Sequence, residues 1–327
     1  MNSFVAAFLP SGAMLLGLLI VVGPLFLWRW LDRRRGRRTP LTKHLLRSPG
    51  ESLRQAIENH TDRVQEVLLL GIAGPAGVAG VYLSQSCQVD ASAGGKNPVV
   101  ILVLILVLGA GVALYAGIRL VSMFRTLRSL RLGLDGELAT GEELNQLLTE
   151  GFRVYHDFPA EGFNIDHVVI GPTGVFAVET KARAKPTTGD GKRDATVVFD
   201  GQHLQFPWGA EDHCLEQANR QAQWLQKWLR QAVGEAVPVQ PVLALPGWFV
   251  DRQGRGAVRV FNPGQTMKLF PKVSGNRLDD KLVTQVAYQV EQRCRNVAPQ
   301  AYRDAKERSH RRSLWVKPER AEPTGSA

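Results

Sequence analysis

Hydrophobic and polar positions alternate in three different ways along this chain. The first third carries three apolar runs, at about residues 4–28, 67–84 and 99–118. The first and third are long enough to cross a bilayer. The middle run is shorter and has Pro75 at its centre, with Gly71, Gly74, Gly77 and Gly80 at every third position. Such spacing predicts a smooth face for close helix packing. Beyond residue 130 the pattern takes a helical period. Leu134, Leu138, Leu144, Leu147 and Leu148 share one side, Glu137, Glu142 and Glu143 lie between them, and Gly151 closes the helix.

Strand patterning follows. Phe152–Phe158 is a strand, then 164–170 and 175–181 form two arms around Gly171-Pro172-Thr173-Gly174, which is turn chemistry. Thr196–Phe199 and His203–Phe206 predict a second hairpin turning at Asp200-Gly201. A long helix over Glu211–Val233 buries Ala218, Ala222, Leu225, Leu229 and Ala232. Val237–Leu245 is an apolar strand whose Pro238 and Pro241 predict an edge or a bulge. Ala257–Phe261 is a further strand, and Pro263–Phe270 and Leu278–Arg293 are helical. From Tyr302 onward the chain is basic and polar, the composition of a disordered tail.

Charge decides how the apolar runs are arranged. No charged residue precedes Arg29, after which come Arg33, Arg34, Arg35, Arg37 and Arg38. The third run is followed by Arg119, Arg125, Arg128 and Arg131. A cleaved signal peptide has its positive charges before the apolar stretch, so the first run reads as a retained anchor. Basic flanks mark the cytoplasmic side. Two such flanks require the chain to cross back between them, which makes the middle run a crossing. The expectation is three spans, an outside N-terminus, a small external loop near residues 84–98, and an inner or cytoplasmic membrane location with everything after residue 119 inside. The domain partition expected is a membrane region over 1–118, a folded domain over 119–270 with its core near 130–245, a C-terminal helix within 271–301, and the tail 302–327.

The whole chain carries a formal net charge of +10. Its surroundings are therefore expected to be anionic, whether phospholipid headgroups or nucleic acid. Cys87, Cys214 and Cys294 are too few and too scattered for a disulfide framework or a zinc site.

The three consecutive strands imply a mixed sheet, and the central hairpin is apolar on both faces. Val168, Ile170, Val175 and Ala177 line one; Ile165, Val169, Phe176 and Val178 line the other. Such a sheet is covered on both sides by helices, an α/β fold. If Ile170 faces Val175, the same register sets Asp166 opposite Glu179, with Lys181 on that face. Opposed like charges about 5 Å apart destabilise a ladder unless something lies between them. A hard divalent cation such as Mg²⁺ or Mn²⁺ held by Asp166 and Glu179 answers that need. Such an ion lowers the pKa of bound water, and a neighbouring lysine can orient that water or steady developing charge. Those are the parts of phosphodiester hydrolysis.

The run Asn164-Ile165-Asp166-His167-Val168-Val169-Ile170-Gly171-Pro172, then Gly174-Val175-Phe176-Ala177-Val178-Glu179-Thr180-Lys181, resembles the nuclease-related domain (NERD) family of the PD-(D/E)xK nuclease superfamily. The resemblance covers roughly residues 130–245. It implies a restriction-endonuclease-like mixed central sheet flanked by helices, here preceded by the membrane helices. It also implies roles: Asp166 and Glu179 as metal ligands, Lys181 as the catalytic lysine, and Gln217 as the glutamine of the following helix. A first-helix glutamate is implied as well, Glu137 in Gly136-Glu137 fitting best and Glu142 in Gly141-Glu142 being its rival. One departure is Ile165 where the superfamily name has proline.

Lys185, Lys192 and Arg193 flank this site and are candidates for phosphate contact. Trp208, Trp224 and Trp228 are candidates for stacking on bases, with core packing the better expectation for the two helical ones. His156 is a candidate ligand, whereas His167 points away from Asp166. The reading is a membrane-anchored nuclease using Mg²⁺ or Mn²⁺, with DNA favoured over RNA. The alternative is a binding or partner-recruiting module of the same fold without catalysis.

Overall fold

The computed structural model describes Pro24, Leu27, Leu41 and residues 43–86, 98–186, 193–273 and 277–299. They fall into two compact units, one drawn from Met1–Arg38 and Arg54–Arg131, the other from Thr39–Leu53 and Leu132–Ala327. Apart from Pro24 and Leu27, the first apolar run lies outside the described residues, as do Cys87 and the tail after residue 299.

Two long helices account for the first unit. Glu51–Ser86 (α1) carries the polar segment straight into the glycine-rich run, with Pro75 inside it. Pro98–Asn145 (α2) holds the third run. A Cβ on Gly71 would lie 3.2 Å from the Ala116 Cβ, so the absent side chain lets the two helices pass closely there. One helix among the described residues is long and apolar enough to cross a membrane; the window has a mean hydropathy of 1.8 and is 6% buried. No separate helix begins at Leu134. Residues 119–133 contain no proline and a single glycine, so nothing interrupts α2 until a 3₁₀ turn, Gln146–Glu150, ends at Gly151 with φ 79°.

The second unit is built on a five-stranded mixed sheet. In chain order the strands are Arg153–Pro159 (β1), Asn164–Gly171 (β2), Gly174–Thr180 (β3), Thr196–Phe199 (β4), Leu204–Phe206 (β5), Gly209–Ala210 (β6), Val239–Ala244 (β7), Phe249–Arg252 (β8) and Arg259–Phe261 (β9). The main sheet runs β1-β2-β3-β7-β9, antiparallel across β1, β2 and β3 and parallel from β3 to β9. A smaller sheet, β6-β5-β4-β8, contains the expected hairpin together with β8, which alternation did not reveal.

β3 is buried at all seven positions because both faces of the main sheet are covered. One face packs on His213–Val233 (α3) and Asp280–Cys294 (α5), through Ala222, Leu225, Leu229, Val286 and Val290. The other packs on Leu144 near the end of α2, on Leu147 in the 3₁₀ turn after it, and on Phe270, which follows the short helix Thr266–Leu269 (α4). The C-terminal helix is thus part of this core rather than an appendage after residue 270. Ile165, expected beside Val169 and Phe176, packs instead with Phe158 and Val168. The cause is local: Asp157 has φ 49°, and the Asp157/Asp166 step is missing from a β1–β2 register otherwise intact. Strict alternation fails across that irregular step.

β7 lies between β3 and β9, yet β9 pairs only with Val242–Ala244. Pro241 therefore sits where β7 is still an edge on that side, and its missing N–H breaks no ladder. Trp224 and Trp228 pack against the core, with the Arg293 guanidinium 5.4 and 5.2 Å from their ring centres.

Residues 43–53 fold with this unit although residues 54–131 separate them from the rest of it in the chain. Leu45 bridges Val297, and Arg47 donates to Asp157 Oδ2 from Nε at 2.9 Å and Nη2 at 2.6 Å. The Ser52 backbone N–H and hydroxyl donate to the same carboxylate at 2.8 and 2.7 Å.

Candidate active site

The β2–β3 hairpin has the expected register, with Ile170 opposite Val175. Its ladder runs from Gly171↔Gly174 to His167↔Val178 and stops one step short of Asp166 and Glu179. At that step the Asp166 carboxylate accepts a hydrogen bond from the Thr180 N–H at 2.6 Å. Glu179, 2% exposed, is gripped on both oxygens. Lys181 Nζ donates to Oε1 and Gln221 Nε2 to Oε2, each at 2.5 Å. Gln221 also donates to the Asn164 carbonyl at 3.2 Å, so α3 ties the ends of β2 and β3 together.

The glutamine that reaches Glu179 is thus Gln221. Gln217 is half-buried one turn earlier on α3. Residues four apart share a helix face, so spacing alone could not separate the two. The rivalry on α2 has a similar outcome: Glu137 is buried, Glu142 exposed. A Cβ on Gly136 would lie 2.7 Å from the Ala182 Cβ and 3.4 Å from Pro246 Cγ. The glycine lets α2 press against the carboxyl ends of β3 and β7, which brings Glu137 to the acidic pair.

The electrostatics follow from three carboxylates sharing one lysine. Burial raises the Glu137 pKa to about 7, with the Asp157 and Glu179 charges adding to the effect and Lys181 opposing it. Asp166 is pushed well above the usual carboxylate range by burial and by Glu179 and Glu137. Among the described residues no three His, Cys, Asp or Glu side chains form a ready-made metal cage. The set nevertheless fits a hard cation, because its donors are oxygens of three carboxyl groups beside a single lysine, and a cation would displace the protons that crowding favours. Gln221 Oε1 and Thr180 Oγ1 are also buried there without a hydrogen-bond partner among the described residues.

A raised carboxyl pKa gives a signed expectation. The stability Glu137 contributes is full below its ordinary value of 4.5 and is lost as pH rises through about 7. Glu137→Gln should therefore raise the melting temperature at pH 8 and leave it little changed at pH 4. The gain is on the order of 3 kcal/mol at most. Equal shifts at both pH values would remove the electrostatic account.

The histidines stand apart from this cluster. His156 Nδ1 lies 2.9 Å from His167 Nδ1, and His156 Nε2 lies 3.2 Å from Asn145 Oδ1. Burial lowers the His156 pKa to about 4 and holds His167 well below the usual imidazole range, so both rings are neutral. If His156 donates to Asn145, His167 donates across the pair, which leaves His167 Nε2 as a buried acceptor without a partner among the described residues.

Of the proposed phosphate contacts, Lys185 stands 5.9 Å over the Trp248 ring centre and Arg193 opens a 3₁₀ turn. Lys192 lies outside the described residues. A cleft of about 560 Å³ that the sequence did not suggest is lined in part by Arg252, Arg255 and Arg259. Arg252 and Arg259 bond there to the neutral amides of Gln265 and Gln240.

No curated protein and no solved structure matches the chain. A family model does, that of the nuclease-related domain (NERD), over residues 132–246. The matched span starts in α2 just before Glu137 and ends just past β7, so it encloses Asp166, Glu179, Lys181 and both candidate glutamines. Over residues 132–246 the chain is thus similar to the nuclease-related domain family.

Proposed function

We propose that this chain is a membrane-anchored, metal-dependent nuclease acting on DNA in preference to RNA. The observation that carries the reading is the convergence of Glu137, Asp166 and Glu179 on one lysine at the carboxyl end of β3. Uncompensated buried acids are costly, and functional sites are where such arrangements persist. Asp166 and Glu179 would hold Mg²⁺ or Mn²⁺, which supplies water activation and neutralises phosphate charge. Lys181, 23% exposed at its side chain, is placed to orient the attacking water or steady the phosphorane-like charge. Gln221 fixes the Glu179 carboxylate, and Glu137 enlarges the negative field that attracts the ion. The arginine cleft and the net charge of +10 suit a polyanionic substrate.

The full-length chain, purified in detergent, should cleave labelled DNA with Mg²⁺ or Mn²⁺ and not with EDTA. No cleavage of single- or double-stranded DNA or RNA with any divalent ion would end this reading. A binding module without catalysis is the second reading, favoured by the engagement of both Glu179 oxygens by Lys181 and Gln221.

Membrane anchoring rests on the apolar helix, nearly unburied, and on the arginine clusters that flank the runs. Reporter fusions at Gly94 and after Ala327 should report opposite sides, the second cytoplasmic. The same side for both would remove the third crossing.

A further inference from the structure

We infer that Trp208 is a stacking platform for an unpaired nucleobase beside the acidic site, so that the chain's ligand is single-stranded or locally melted nucleic acid. The inference rests on the nucleic-acid reading above and narrows it to a substrate class.

Local structure makes the platform rigid. Phe206 pairs with Gly209, so Pro207 and Trp208 form the two-residue tip of a tight hairpin. Glu211 N–H donates to the Leu204 carbonyl at 2.9 Å, which extends the pairing one step further. Phe206 and Trp248 are buried, yet Trp208 between them is 47% exposed. Its ring stacks on Phe206 with centroids 5.0 Å apart and planes 12° from parallel, and meets Trp248 edge-on at 5.4 Å and 79°. A hydrogen bond from Nε1 to Glu211 Oε1 at 3.0 Å fixes the indole's rotation. Glu211 is itself held through Oε2 by Arg183 Nε and Nη2 at 2.9 and 2.7 Å. An indole needed only for packing would be buried, and one left free on the surface would not be held by three neighbours, Phe206, Trp248 and Glu211. Pre-ordering removes the entropy that a mobile ring would lose on binding.

Position ties this platform to the site. Arg183 follows Lys181 by two residues, and its carbonyl accepts from Trp248 Nε1 at 3.2 Å. The Lys181 charge acts on Glu211, alongside the Arg183 and Trp208 hydrogen bonds that pull its pKa down against the opposing effect of burial. Lys185 over Trp248 adds a second cation at the same edge. Flat aromatic surface with cations beside it is how proteins hold single strands: bases stack, phosphates pair with the charges, and sequence matters little. In a duplex both faces of each internal base are already stacked, so an indole has nothing to receive.

Anisotropy of labelled oligonucleotides on the full-length chain, in EDTA so that nothing is cut, tests this directly. Three probes of equal length are compared: a single strand, the same strand with abasic sites throughout, and a duplex. Wild type should bind the base-bearing strand best. Trp208→Ala should weaken that binding roughly 5- to 100-fold, leave the abasic strand and the duplex within about twofold, and keep the chain folded, as read by circular dichroism. Trp208→Tyr, which retains a stacking face, should recover most of the loss. Wild type that binds the abasic strand equally well, or Trp208→Ala that weakens all three probes alike, would overturn the inference. The metal-dependent cleavage assay is scored separately. Selective binding without cleavage leaves the platform standing and removes the nuclease reading; cleavage without base-dependent binding does the reverse.

Discussion

Asp166→Asn and Glu179→Gln should each cut the proposed metal-dependent cleavage by roughly a thousandfold, about 4 kcal/mol of lost transition-state stabilisation. Binding of nucleic acid without metal should stay within about twofold of wild type. The two effects separate because different groups carry them. On the proposed reading, arginine and lysine contacts with phosphate would supply the salt-sensitive affinity, whereas the carboxylates would hold the ion that activates water. The amide variants keep side-chain shape, so the oxygen that faces Thr180 N–H or Gln221 Nε2 can still accept, although in Glu179→Gln the amide NH2 then turns toward Lys181 Nζ and that ion pair is lost. Removing one of several crowded acids also relieves repulsion, so neither variant should melt much below wild type in EDTA. Added Mg²⁺ should raise the wild-type melting temperature and lose that effect in both variants. If cleavage, binding and the Mg²⁺ response are all unchanged in Glu179→Gln, no metal works at this site and the binding-module reading takes over.

Arg47→Ala should cost the folded domain about 3–5 kcal/mol. The Arg47 and Asp157 side chains are 12% and 4% exposed, so the ion pair is shielded from water. Asp157 accepts from four donors on residues 47–52, and truncating Arg47 removes two of them at once. The carboxylate left behind lies close enough to Glu137 to raise that residue's pKa already, so losing its cation also burdens the candidate site. Thermal melting, and proteolysis within residues 39–46, would both report the loss. A variant that melts within about 1 kcal/mol of wild type and resists protease equally would mean that these residues merely rest on the domain.

The hairpin was legible because three local signals agree in it. Gly171-Pro172-Thr173-Gly174 sets the turn, β-branched residues fill both arms, and the period of two then fixes the register through Ile170 and Val175. Once register is given, Asp166, Glu179 and Lys181 follow by counting. The helix ends were legible for a similar reason, since Gly151 and Gly234 stop them with left-handed backbone. Where a rule of alternation meets an irregular step it fails. Ile165 shows this, because the left-handed Asp157 beside it belongs to no pattern that neighbouring residues announce.

Sequence by itself determined the central strands, their register, the α/β class, and which charged residues are spaced to share one face of a hairpin. Each depends on periodicity and turn chemistry within some twenty residues. Tertiary structure alone decided the rest. It chose Gln221 over Gln217 at Glu179, because the choice depends on how α3 is rotated over the sheet. It brought Glu137 to the acidic pair, because that needs Gly136 to meet Ala182 across more than forty residues of chain. It assigned residues 43–53 and the helix Asp280–Cys294 to the domain, through Leu45 on Val297 and Arg47 on Asp157. Contacts between distant segments leave no period in either one, since each partner needs only the right chemistry at one position.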